Sequence, residues 1–110
     1  MQSERRAAPR VAYEGRCWLR DESSERFVFF TNVSSGGAQI STLSPLPVGH
    51  QTVMRWQSTE DPASEVVEVV AKVVWSQTDP AGRAGSMGVS FREVRTPVVL
   101  DKFMSLRVNG

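Results

Sequence analysis

The sequence of 110 residues predicts one all-β domain of six antiparallel strands, closed as a barrel or packed as a sandwich, with a C-terminal helix. Short segments with an apolar side chain at every second position follow one another along the chain, as expected of half-buried strands. Turn-forming residues separate these segments. After Thr96 the apolar spacing changes to that of a helix.

The first three predicted strands alternate apolar with polar residues. Their apolar positions are, in order, Val11, Tyr13, Cys17 and Leu19; Phe27, Phe29 and Val33; and Ala38 and Ile40. A polar turn at 21–24 follows the first strand, and Gly36 and Gly37 follow the second.

Strands four to six continue the pattern after a loop at 43–49 that contains two prolines. Their apolar positions are Val53, Met54 and Trp56; Val67, Val69, Ala71, Val73 and Trp75; and Met87, Val89 and Phe91. Polar turns at 59–64 and 79–84 separate them. Closure of the sheet would remove the exposed edges that a small open sheet carries.

The two ends of the chain differ from the strands. Residues 1–10 hold Arg5, Arg6 and Arg10 against a single acidic residue and are predicted to form a flexible basic arm, which leaves 11–110 as the domain. Thr96 suits an N-cap and Pro97 a first helical position. The spacing of the apolar residues that follow predicts a helix at about 97–108; they are Val99, Leu100, Phe103, Met104 and Leu106.

Composition limits the classes of function. The net charge is +1 and the positive excess lies in the arm, which favours a local anionic ligand over a nucleic acid polymer. Cys17 is the single cysteine, so no intramolecular disulfide forms and a reducing, cytoplasmic location is expected. No apolar run approaches the roughly 18 residues that membrane insertion requires.

The residues that enzymes use are scarce. His50 is the only histidine and follows Gly49 in a loop, where we expect it to be solvated and without a partner. Cys17 alternates with apolar neighbours and is predicted to be a small core residue. General acid–base catalysis needs two positioned groups and a zinc site needs several ligands. The sequence therefore predicts no enzyme, no metal site and no cofactor.

Two short segments carry the chemistry that remains. Arg6 and Arg10 are four apart on the arm, and guanidinium groups suit phosphate oxygens and the acceptor edge of guanine. Asn32 and Ser34 are two apart at the end of a strand, so both side chains point to one face and offer donors and acceptors to a base. Alternatively, the arm is only a solvated tail, and the Asn, Ser and Gly residues at 32–37 only form a turn.

The two segments together resemble the PilZ domain family. An R-x-x-x-R motif precedes strand one, and an N-x-S-x-x-G motif follows strand two. The resemblance continues at residues 73–75 and 88–91, with the sequences VVW and GVSF. It implies a six-stranded antiparallel β-barrel with a C-terminal α-helix, and a bacterial receptor for the second messenger cyclic di-GMP.

The resemblance also implies a role for each motif residue. Arg6 and Arg10 would bind phosphates and guanine, and Arg5 would assist them. Asn32 and Ser34 would contact a guanine from the barrel surface. Asn32 stands where many members of the family have Asp.

Gly37 and Trp75 complete the predicted site. Gly37 is the closing glycine of the second motif, and Trp75 lies where some members of the family carry an aromatic residue that stacks on the ligand. Alternation along the strand instead groups Trp75 with Val73 and favours burial. Core packing and ligand stacking both remain open for this residue.

Three functional hypotheses are compatible with these features. In the first, cyclic di-GMP orders the arm against the barrel and a partner protein recognises the result. In the second, the barrel is an adaptor that binds its partner without a ligand. In the third, it binds single-stranded nucleic acid, which requires a basic groove with exposed aromatic residues. We expect the aromatic residues to lie mostly on buried faces, which disfavours the third hypothesis.

Overall fold

A computed structural model describes residues 11–21, 24–82 and 84–108. These residues form seven strands and one helix: β1 (Val11–Ala12), β2 (Arg16–Arg20), β3 (Glu25–Ser34), β4 (Gly37–Ser41), β5 (Gln51–Gln57), β6 (Val66–Thr78), β7 (Gly85–Val94) and α1 (Pro97–Val108). The first predicted strand is therefore two strands, because the chain leaves the sheet between Ala12 and Arg16.

The strands β2 to β7 form a closed antiparallel barrel. Its order is β3-β2-β5-β6-β7-β4, and β4 pairs with β3 to complete the circle. The short β1 is an additional strand beside the end of β3, with Val11 opposite Val33 and Ala12 opposite Asn32. The predicted six-stranded barrel is thus confirmed, and the sandwich alternative is excluded.

The inward side chains of the barrel and one face of α1 share a single core. The indole of Trp56 lies edge-on to Phe30, with ring centroids 4.9 Å apart, and to Phe103 of the helix at 5.6 Å. Leu100 and Met104 extend the buried face of α1, whereas Leu106 is exposed. Aromatic contacts of this kind add to the apolar area that the helix removes from water.

Thr96 joins the start of α1 to the barrel. Its carbonyl accepts the N–H of Leu100 at 2.9 Å, which is the first helical hydrogen bond. Its hydroxyl accepts the N–H of Glu68 on β6, also at 2.9 Å. Thr96 therefore holds the N-cap position, and its side chain ties the helix to a neighbouring strand.

A β-bulge in β3 reverses part of the expected alternation. Phe30 pairs with Ile40 and Asn32 with Gln39, so Thr31 is an extra residue. Before the bulge, Val28 and Phe30 point inward, and Phe27 and Phe29 are exposed. The expectation that these two phenylalanines lie on the buried face was therefore wrong.

The structure confirms the prediction for Cys17 and contradicts the one for His50. Cys17 is fully buried, as expected of a core residue, and burial raises the pKa of its thiol far above the ordinary value. The Nε2 atom of His50 lies 3.0 Å from Oδ2 of Asp21, so the expectation of a histidine without a partner was wrong. The contact joins residues 29 positions apart, which local sequence does not reveal.

Candidate ligand-binding site

A row of directly opposed residues crosses five strands on the outer face of the barrel. It consists of Ala12, Asn32, Gln39, Gly88 and Trp75, and we call it the first row. Opposed residues of neighbouring strands point to the same face. The side-chain amide of Asn32 donates to Oε1 of Gln39 at 2.7 Å. The row thus links the second motif to Trp75 through Gln39 and Gly88, along a band of the outer face that runs halfway around the barrel from β3 to β6.

The position of Trp75 depends on a second bulge. Val73 pairs with Val89 and Trp75 with Gly88, so Val74 is an extra residue in β6. The side chain of Val73 is buried, whereas that of Trp75 is 37% exposed. Core packing, one of the two alternatives for Trp75, is therefore excluded.

The indole of Trp75 lies against the backbone of Gly88. A Cβ atom at Gly88 would overlap Nε1 and two carbons of the ring. Only glycine leaves room for the ring to lie flat on the neighbouring strand. One side of the indole is thus supported by the barrel, and the ring borders the surface that holds Gln39.

A second row lies two residues further along β3, β4 and β7, and three further along β6 because of the bulge at Val74. It consists of Ser34, Gly37, Ser90 and Lys72. A Cβ atom at Gly37 would overlap the carbonyl oxygen of Val89, so this position also requires glycine. The two rows contain amide and hydroxyl groups, one ammonium group and no carboxylate. This composition suits a ligand that carries negative charge and hydrogen-bonding edges.

The side chain of Ser34 has a structural role of its own. Its hydroxyl accepts the N–H of Gly36 at 3.2 Å and donates to the carbonyl of Gly37 at 3.3 Å. It is also largely buried, with 7% exposure. Ser35 and Gly36 form the turn between β3 and β4, and Ser34 at the end of β3 stabilises that turn.

The predicted arm residues Arg5, Arg6 and Arg10 lie outside the described residues. The described chain begins at Val11, which pairs with Val33 between Asn32 and Ser34. The first described residue therefore lies beside the strand that carries the second motif.

Three polar residues of the rows were not among the predicted site residues. Gln39 and Lys72 belong to no motif, Ser90 lies only in the GVSF segment, and all three join the surface through strand pairing. Gln39 could have been found by continuing the alternation from Gly37 along β4. Ser90 required the register between β4 and β7, and Lys72 required also that between β7 and β6, which the bulge at Val74 interrupts.

Other kinds of site find no support in the described part of the chain. No three residues of the His, Cys, Asp and Glu types come together there in a way that could hold a metal ion. Among the same residues, α1 is the one helix, and it is too short to cross a membrane.

A protein-family comparison gives one match. The model of the PilZ domain matches residues 4–102, which include the arm arginines and both rows. A comparison with curated proteins gives no match.

Solved structures show the same fold. The Bacillus subtilis inhibitor of motility, MotI/DgrA, superposes with a TM-score of 0.74 at 19% identity, over 94% of this chain and 52% of its own, so our chain spans about half of that protein. The PilZ domain of Escherichia coli YcgR, solved with cyclic di-GMP, superposes with a TM-score of 0.66 at 15% identity, over 96% of this chain and 90% of its own.

Proposed function

The chain belongs to the PilZ domain family, and on that premise we propose that it is a receptor for cyclic di-GMP that binds the nucleotide on the outer face of the barrel. PilZ domains are receptor and adaptor modules rather than enzymes. The ligand occupies the two rows and is covered by the arm. The setting that we propose is the bacterial cytoplasm.

One observation carries this proposal. Val11, the residue that follows the arm motif in the sequence, pairs with Val33 between Asn32 and Ser34, although the two motifs lie in separate segments of the chain. The described chain therefore begins one strand spacing from the second motif. This supports the proposal that the arm arginines act together with Asn32.

The roles of the residues are inferred from their chemistry. Arg6 and Arg10 bind phosphate oxygens and the guanine edge, and Arg5 assists them. The amide of Asn32 contacts a base edge, where Gln39 holds it in place. The indole of Trp75 stacks on a guanine, since its position against Gly88 leaves it partly exposed.

Ser34 and Gly37 have a supporting role in this proposal. Ser34 fixes the turn through its two hydrogen bonds and contacts the ligand with its remaining acceptor capacity. Gly37 keeps the surface low where the base approaches. Binding orders the arm against the barrel, and a partner protein recognises the ordered form.

A second function is a ligand-independent adaptor of the same family. The observation in its favour is that the hydroxyl of Ser34 is already engaged within the turn. In that case residues 32–37 serve the fold alone. The barrel then binds its partner with or without nucleotide.

Calorimetric titration with cyclic di-GMP tests the proposal. We expect the wild-type chain to bind, and Arg6→Ala and Arg10→Ala each to lose at least about tenfold in affinity, because a charge-assisted hydrogen bond contributes about 1.5–3 kcal/mol. Arg92→Ala is the matched control, since this exposed arginine of β7 lies outside both rows. Unchanged affinity in both arm variants would contradict the proposed site, and absence of wild-type binding would favour the adaptor.

A further inference from the structure

The outer face of β2 and β3 exposes a cluster of aromatic side chains. Trp18, Phe27 and Phe29 are 41%, 44% and 53% exposed. Trp18 and Phe27 lie directly opposite each other, and their ring centroids are 3.5 Å apart. Contiguous exposed apolar side chains are unusual on a monomer and mark interaction surfaces.

Arginines surround these rings. Arg16 and Arg20 flank Trp18 on β2, and Arg55 lies opposite Trp18 on β5. The guanidinium of Arg16 also lies 5.4 Å from the ring centroid of Phe27. The strands β2, β3 and β5 together contain four arginines and one glutamate, in a chain whose net charge is only +1. Trp and Arg are the residue types that dominate binding energy at protein interfaces.

A groove of about 450 Å³ adjoins the aromatic cluster. Arg26, Phe27, Phe29 and Leu43 are among the residues that line it. Leu43 is itself 71% exposed. The groove thus offers an apolar pocket beside positive charge.

Two of the guanidinium groups have unused donors. Within the described residues, Nη2 of Arg26 and Nε of Arg55 are buried and have no hydrogen-bond acceptor. Nε of Arg55 forms an ion pair with Oε1 of Glu68 at 3.5 Å, a distance longer than an ordinary N–H···O hydrogen bond. The buried atoms themselves are closed to a partner, but the side chain of Arg55 is 41% exposed, and a carboxylate is the strongest acceptor that a partner could bring to its other N–H groups.

We propose that this face binds an acidic segment of a partner protein, whose carboxylates pair with the arginines and whose apolar side chain enters the groove. We call it the arginine–aromatic face and define it by Arg16, Trp18, Arg20, Phe27 and Phe29. The inference rests on the partner that the proposed function requires, and it does not depend on nucleotide binding. Charge complementarity selects an acidic partner over a basic one.

The arginine–aromatic face is distinct from the two rows. It spans β2 and β3, whereas the rows extend from β3 across β4 and β7 to β6. The bulge at Thr31 separates Phe29 from Asn32 on their common strand. Partner and nucleotide can therefore occupy the barrel together, with β3 as the shared element.

The three tryptophans provide a test that separates the two sites. Trp18 lies on the arginine–aromatic face, Trp75 in the first row, and Trp56 in the core. Peptides are selected on the wild-type chain from a random phage-display library and are titrated while the three indole N–H signals are recorded by NMR. We expect the selected peptides to be rich in Asp and Glu with an apolar residue, and to shift the Trp18 signal. We expect cyclic di-GMP to shift the signal of Trp75 instead.

Charge-reversal variants complete the test. Arg16→Glu and Arg20→Glu should each weaken peptide binding at least about fivefold, as expected for interface residues of this type. Arg92→Glu is the matched control and should bind as the wild type does. Selected peptides that are neutral or basic, or that leave Trp18 unmoved, would overturn the proposal. The proposal would also be overturned if oligothymidine shifted the Trp18 signal more strongly than any acidic peptide, because that result would identify a nucleic-acid-binding surface.

Discussion

The indole ring of Trp75 and the backbone of Gly88 are in direct contact across β6 and β7. The two residues are paired in the sheet, and a Cβ atom at Gly88 would overlap the ring at Nε1. The contact exists because the bulge at Val74 turns Trp75 out of the core and towards the glycine. The orientation of the aromatic residue in the proposed site is therefore set by a residue that itself has no side chain.

The variant Gly88→Ala should displace Trp75. The added methyl overpacks the contact, and we expect the free energy of unfolding to fall by about 1–3 kcal/mol. Affinity for cyclic di-GMP should fall as well, because the ring leaves its supported position. Chemical denaturation and calorimetry measure the two effects.

The double variant Gly88→Ala/Trp75→Ala is the control for this prediction. Once the ring is absent, the methyl at position 88 has nothing to overlap. Gly88→Ala should therefore lower the free energy of unfolding only slightly in the Trp75→Ala background. A double-mutant cycle measures this coupling. An equal loss of unfolding free energy in both backgrounds would show that overlap with Trp75 is not the reason why position 88 requires glycine.

Two β-bulges, one in β3 and one in β6, show how much of the fold the sequence could predict. Alternation predicted the barrel strands and the change of spacing predicted the helix, because both depend on local periodicity. The bulges at Thr31 and Val74 each insert one residue and so reverse the facing of the residues on one side of the bulge relative to the other. Periodicity does not detect a single inserted residue, so the facing of Phe27, Phe29 and Trp75 was not predicted.

Some residues of the candidate site could be predicted from the sequence and others could not. Asn32, Ser34 and Gly37 stand in a recognisable motif and were named from the sequence. Gln39 pairs with Asn32 within the β3–β4 hairpin and could have been found by alternation along β4. Lys72 enters the site through pairing between strands that are distant in sequence, which one sequence does not reveal. The bulge at Thr31 also explains why Phe27 and Phe29 were assigned to the buried face, whereas Trp18 lies between Cys17 and Leu19 and follows the regular alternation.

Thr96 should contribute to stability mainly through its hydroxyl. Thr96→Ala removes the acceptor for the N–H of Glu68 and should lower the free energy of unfolding by about 1–2 kcal/mol. Thr96→Ser keeps the hydroxyl and is the matched control, with an expected loss below about 0.5 kcal/mol. Urea denaturation of both variants measures the difference. If the two variants lose equal stability, the methyl group of Thr96 matters and the hydrogen bond does not.

Cys17 should make stability depend on pH in the alkaline range. Burial raises the pKa of this thiol in the folded chain, while its ordinary value is 9.0. Below pH 9 the thiol is protonated in both states and contributes no pH dependence. Above pH 9, the thiol ionises only in the unfolded chain. The free energy of unfolding therefore falls by about 1.4 kcal/mol per pH unit through this group.

The variant Cys17→Ala isolates that contribution. All other side chains are common to both proteins, so the informative quantity is the difference in unfolding free energy between wild type and variant. We expect this difference to be constant up to about pH 9 and to shrink as the pH rises further. The native thiol should also resist alkylation by iodoacetamide until the chain unfolds. A constant difference up to about pH 10.5 would show that the thiol ionises equally in both states.

Lys72 should assist the binding of cyclic di-GMP. It shares the second row with Ser34, three strand spacings away, which is about 14 Å measured along the curved outer face of the barrel. A flexible ammonium group at that distance can reach a phosphate of a ligand that extends from Asn32 towards Trp75. We expect Lys72→Ala to lower affinity about fivefold in dilute buffer, and the loss to become smaller as salt screens the charge. Lys102→Ala is the matched control, because this exposed lysine lies on α1 and pairs with Glu65 at 3.6 Å. If calorimetry at low and high salt gives the same affinity for both variants, the ligand does not extend along the second row.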